Sequence, residues 1–189
     1  MIRRLLLAGA LGACVLILWA FVANALLGLR GTVDMKRVSN ESQVYDVLRE
    51  NIAEPGGYMV NPPLTQSGVF PAREPVFGVH YGGIGHEAAG QMLLFELAIA
   101  VIASMIAAGM LLVTSPRIIS SYFRRVLFFM AVGLLFAVFR DLALFNIGGL
   151  PIRSALLLAA NALVSWTLVG LVVAKWIRPR DRDVATAGA

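Results

Sequence analysis

The sequence predicts an all-α membrane protein: a bundle of four transmembrane helices carrying a small α+β cap at one end. Three observations carry that reading. Of 189 residues, 59% are hydrophobic and only 14% charged, whereas soluble domains run at roughly 45–50% apolar and about 25% charged. Four apolar stretches, residues 5–27, 91–113, 126–145 and 154–174, each reach the roughly 20 helical residues needed to cross a hydrocarbon core. The basic residues flank these stretches instead of gathering on one soluble segment. A pI near 10 therefore reflects charges that set topology, not a phosphate-binding face, and no nucleic-acid partner is expected.

The first stretch follows Arg3 and Arg4. Its "VANA" (22–25) resembles a small-residue cleavage site and "LGAC" (11–14) loosely resembles a lipobox. The apolar run before "VANA" is longer than a signal-peptide core, roughly 7–15 residues. Lipidation at Cys14 would leave "VLILWAFV" unexplained, so an uncleaved anchor is expected. Arg3-Arg4 lacks the remainder of a twin-arginine motif. With a single cysteine the chain can form neither an internal disulfide framework nor a CxxC redox pair.

Arg117, Arg124 and Arg125 separate the second and third stretches, and Lys175, Arg178, Arg180 and Arg182 follow the fourth. The positive-inside rule then places both termini and the short basic loop in the cytoplasm, with Trp176 as an interfacial anchor. Residues 28–90 and the "NIGGLP" turn face outward, into the periplasm of a bacterium. The long loop holds five Lys/Arg against seven Asp/Glu, which does not contest the assignment. The expected organisation is a cytoplasmic tip and first helix (1–27), a periplasmic cap (28–90), three further helices (91–174) and a cytoplasmic tail (175–189).

Within the cap, "SNESQVYDVLREN" reads as a short helix. Asn40 or Ser39 can cap it, Gln43 sits where a capping-box partner would, and Val44, Val47, Leu48 and Ile52 form one apolar stripe. The "NES" sequence (40–42) fits a glycosylation sequon but falls where the cap is needed. "EPGG" ends the helix, and "YMV", "GVF" and "PVFGVHY" are short β-prone runs between Pro, Gly and Asn. About 60 residues make a small core, so the cap is expected to pack on the bundle.

Depth singles out the polar residues. At about 1.5 Å per helical residue, Glu96, Arg140 and Asn161 lie roughly 8–10 Å below the outer face, and Asn24 lies nearer to it. A charge in hydrocarbon costs at least about 2.5–3.5 kcal/mol, so such groups usually face the bundle and pair. The expected pair is Glu96 with Arg140, with Asn161 adding a hydrogen bond. Asp141, about 100° round the helix from Arg140, is expected at the periplasmic rim, near Arg153 or the cap. This polar layer (Glu96, Arg140, Asp141, Asn161) reads first as a clamp fixing helix register. Snorkelling of Arg140 to the headgroups and a proton or ligand site are the alternatives.

"HYGGIGHE" contains both histidines, His80 and His86, beside Glu87. Two histidines and a carboxylate can bind zinc, but the spacing suits neither one helix face nor one strand face. Its glycines lack the context of a phosphate-binding loop. No metal or other cofactor is expected. Ala100, Ser104 and Ala108 recur every four residues, as do Gly170 and Ala174; such small residues let membrane helices approach closely. They serve packing within the chain or docking on another membrane subunit. No ring of polar residues suggests a pore.

"ILWAFVANALLG", "ESQVYDVLRENIAEPGGYMVNPP" and "FRDLALFNIGGLPIRSALLLAANALVSWTLVGLVVAKW" together resemble an uncharacterised family of small bacterial inner-membrane proteins. The matching positions are Gly57, Tyr58 and Pro62 in the loop, and Asp141 with "GLP" (149–151). The resemblance implies four transmembrane helices with a periplasmic loop between the first two, and it carries no function to transfer. The functional expectation is a non-enzymatic accessory, assembly or stabilising subunit of a larger membrane complex, or a homo-oligomer. The competing expectation is a small transporter or membrane enzyme using Glu96, Arg140, Asp141 and Asn161.

Overall fold

A computed structural model describes residues 2–33 and 36–177. Arg178, Arg180, Arg182 and the remainder of the expected tail lie outside the described residues. The elements run in the order α1 (Ile2–Phe21), α2 (Leu29–Val33), α3 (Glu41–Asn51), β1 (Gly56–Val60), β2 (Phe77–Tyr81), α4 (Ala89–Leu112), α5 (Pro116–Ile119), α6 (Tyr122–Phe136) and α7 (Ile152–Trp176). Four helical spans are long and apolar enough to cross a membrane: Ile2–Leu26, His86–Leu112, Tyr122–Leu144 and Ile152–Trp176. Each begins before its apolar stretch because a backbone ladder does not start where hydropathy does; Tyr122–Arg125, with two arginines, is the first turn of α6.

Two of these spans end in π turns at the end that bears residues 28–90, called here the loop end. Val22–Leu26 closes α1 and Ala137–Asp141 closes α6. Beyond the second, a 3₁₀ turn (Leu142–Leu144) leads into "NIGGLP", where Gly148 takes φ +72°, a conformation favouring glycine.

Helix order follows from small residues. α1 packs between α4 and α7, and α6 packs on α7. Gly12 lies against Ser104 and Val169, and Gly9 against Met105. At Gly133 an added Cβ would stand 2.8 Å from the Trp166 Cβ, and at Gly170 equally 2.8 Å from that of Phe129. These contacts bring backbones together where lipid offers no hydrophobic driving force. Ser104, Ala108, Gly170 and Ala174 are buried and Ala100 half-buried.

The core lies at the end away from the loop. It joins Ala8, Ala107, Ala108, Leu111, Ile119, Phe129, Trp166, Val169, Val173 and Ile177. At the loop end the bundle opens. Every residue of α4 from 89 to 99 is exposed. Leu93 lies three turns from Ser104 on the face that packs against α1, and it is 63% exposed. α4 thus leaves α1 beyond its midpoint.

The loop forms a helix and one antiparallel pair, with Tyr58 opposite Val79. Asn40 stands at the N-cap of α3, but its side chain makes no capping hydrogen bond, so the expected capping box does not form. No residue of α3 is buried. The hairpin rests on the "NIGGLP" turn so closely that a Cβ on Gly78 would collide with the carbonyl oxygen of Gly148. The cap is therefore seated on the α6–α7 connection.

Candidate functional site

At the loop end, the π turn decides which charge faces inward. Val126, Phe129, Gly133 and Ala137 form the buried stripe of α6. At 3.6 residues per turn that stripe would continue through Arg140, leaving Asp141 outside. A π turn closes i→i+5 bonds and accommodates one extra residue. The stripe therefore shifts by one position, onto Asp141. The Asp141 side chain is 4% exposed and that of Arg140 72%, with Nη1 of Arg140 and Oδ1 of Asp141 3.9 Å apart.

This corrects the expected layer. Arg140 faces outward and pairs with its own neighbour, not with Glu96, which is exposed on the open half of α4. Asp141 is buried in the bundle and not at the rim. Asn161 joins neither charge: its Oδ1 accepts a 2.8 Å hydrogen bond from Nε1 of Trp19, tying α7 to α1. Asn24 is half-buried within the π turn of α1.

The opposite end holds a buried charge, Arg125, that in sequence is only one of the topology-setting basic residues. Arg125 donates through Nε to the Ala174 carbonyl at 3.0 Å and through Nη1 to the Ile119 carbonyl. Its guanidinium also lies 6.0 Å from the ring centroid of Tyr122. Tyr122 donates its hydroxyl to the Leu171 carbonyl at 2.8 Å. One cation thus ties α5, α6 and α7 together. Four residues after Ser121, the N-cap of α6, it resembles in sequence any arginine flanking an apolar run. Only the i+4 relation to the buried Phe129 hinted at an inward face.

In the cap, α3 and β2 border a groove of about 370 Å³ lined by Tyr45, Leu48, Arg49, Ile52, Ala53, Val79, His80 and Tyr81. The apolar stripe of α3 contributes Leu48 and Ile52, while Val44 and Val47 remain exposed. His80 lies on β2 and His86 in a 3₁₀ turn leading into α4. Among the described residues no group of three or more His, Cys, Asp or Glu side chains gathers where it could hold a metal ion. Comparison with protein-family models, with curated proteins and with solved structures finds no match.

Proposed function

We propose that this chain is a non-enzymatic integral protein of a bacterial inner membrane, acting as an accessory, assembly or stabilising subunit of a larger membrane complex. Its termini lie in the cytoplasm and residues 28–90 in the periplasm, an orientation supported by Arg3, Arg4, Arg117, Arg124, Arg125 and Lys175 at one end of the bundle. The observation that carries the reading is apolar surface in the cap. Met59, Val69, Phe70, Phe77 and Ile84 are all exposed there, on a segment outside the four apolar spans. Exposed apolar surface of this kind marks interaction sites.

The competing reading needs Glu96, Arg140, Asp141 and Asn161 to share one site. The geometry disfavours it: Trp19 occupies Asn161, while Glu96 and Arg140 face outward. The test is affinity capture of the tagged full chain from membranes in mild detergent, followed by native electrophoresis. A larger species with a co-purifying protein is expected, lost in a Phe70→Ser, Phe77→Ser variant of unchanged yield. A species containing this chain alone, unaffected by that variant, would overturn the reading.

A further inference from the structure

We infer that the open face of α4 is covered by a second copy of this chain, with Glu96 of one copy meeting Arg140 of the other. The inference rests on the membrane placement proposed above, but not on any heterologous partner of the cap.

The uncovered face is defined by residues. Glu96 continues the line of Ala100, Ala103 and Ala107 on α4; the last of these is buried and the other two are half-buried. In its own half of the helix that same face stands open, with Leu93 and Leu97 beside it also exposed. A carboxylate there is flanked by apolar side chains, and a bilayer offers it no cation of its own at that depth. Arg140 could reach an anionic headgroup, but a headgroup phosphate cannot neutralise Glu96. A cationic side chain can.

The two charges lie near one level. Counting outward from the contact of Gly12 with Ser104 brings Trp19 level with Leu97, next to Glu96. Trp19 bonds Asn161. Gly133 packs against Ala162, Leu163 and Trp166, so counting seven residues outward sets Arg140 two to six residues, roughly 3–9 Å, beyond Asn161. Long side chains span such an offset. Within one chain the charges are kept apart, because α4 packs on α1 and diverges from the rest at this end. Copies in one membrane share one orientation. Rotation about the membrane normal therefore preserves level, and a cyclic arrangement apposing α4 of one copy to α6 of the next pairs Glu96 with Arg140. Arg140 is available: most of its side chain is exposed and its contact with Asp141 is long.

Disulfide trapping in intact membranes tests this with the full chain. In a Cys14→Ser background, one tagged copy carries Met92→Cys and a differently tagged copy carries Leu144→Cys. Each position is exposed and lies one turn outward of its charge. The expected result is a mixed disulfide dimer. Arg140→Glu in the Leu144→Cys copy should reduce it about tenfold through like-charge repulsion, and Glu96→Arg in the other copy should restore it. Absence of the mixed dimer, or a dimer indifferent to charge reversal, would overturn the inference, as would a link forming only within one chain that carries both cysteines. Capture of another protein by the cap would leave the proposed function standing in each of those cases.

Discussion

The two ends of this bundle each bury one charge, and they treat it oppositely. Away from the loop, Arg125 sits in a closed core and donates to the backbone of two other elements, α7 and the α5 turn. At the loop end, Asp141 is equally buried but pairs only at 3.9 Å, with an exposed neighbour, where α4 has already parted from α1. Burial alone therefore says little about what a charge does. A guanidinium satisfied by carbonyls that would otherwise lack partners holds elements together. A carboxylate whose ion-pair partner is its own exposed neighbour ties no second element to its helix.

The largest expected effect falls at the closed end. Arg125→Ala leaves buried carbonyls of Ile119 and Ala174 without their donor, and hydrogen bonds to charged groups are worth about 1.5–3 kcal/mol each. Unfolding in mixed detergent should show a loss of roughly 3 kcal/mol or more. Arg125→Lys should recover only part, since one ammonium lacks the guanidinium fork. Overpacking comes next. Gly170→Ala should cost about 1–3 kcal/mol, because its Cβ would meet Phe129. Gly90→Ala, where nothing lies within 4 Å, should stabilise by up to about 1 kcal/mol through helix propensity. Equal responses at these two glycines would erase the contrast between the ends.

Smaller effects are expected among the polar groups of the open end. Asp141→Asn should change stability by less than about 1 kcal/mol, because the partner left behind, Arg140, is exposed to solvent or headgroups and its contact is long. A loss matching that of Arg125→Ala would make Asp141 a clamp after all. Trp19→Phe removes one bond between α1 and α7, and interhelical hydrogen bonds in membranes average about 0.6 kcal/mol. Thermal aggregation of the purified variant should register little more than that.

The four spans and the helix-plus-strands composition of the cap were legible because length, hydropathy and turn residues are local properties. The orientation of Arg140 and Asp141 was not. A regular 3.6-residue period turns Arg140 inward, and the one-residue slip of the π turn at Ala137–Asp141 reverses the pair. Nothing in "AVFRD" announces that slip. Asn161 was visible as a buried-layer candidate, but its partner Trp19 lies 142 residues away and in sequence resembles any interfacial tryptophan. The small-residue stripe of α4 begins only at Ala100, and the large apolar residues before it show no period to say that this first half, Glu96 included, would be left uncovered. Arg125 shared its flanking position with Arg117 and Arg124, and only the packing of α5 and α7 distinguishes it.

If another protein chain completes the loop end, as proposed, the open face of α4 lies against protein and the outer face of its far half against lipid. Site-specific photo-crosslinking in living membranes tests it most directly, with benzoylphenylalanine placed at Leu93, on the face of α4 that α1 abandons, and at Ile106, exposed on the opposite side. A protein adduct is expected from Leu93 and lipid adducts alone from Ile106. Lipid adducts alone from both positions would contradict it.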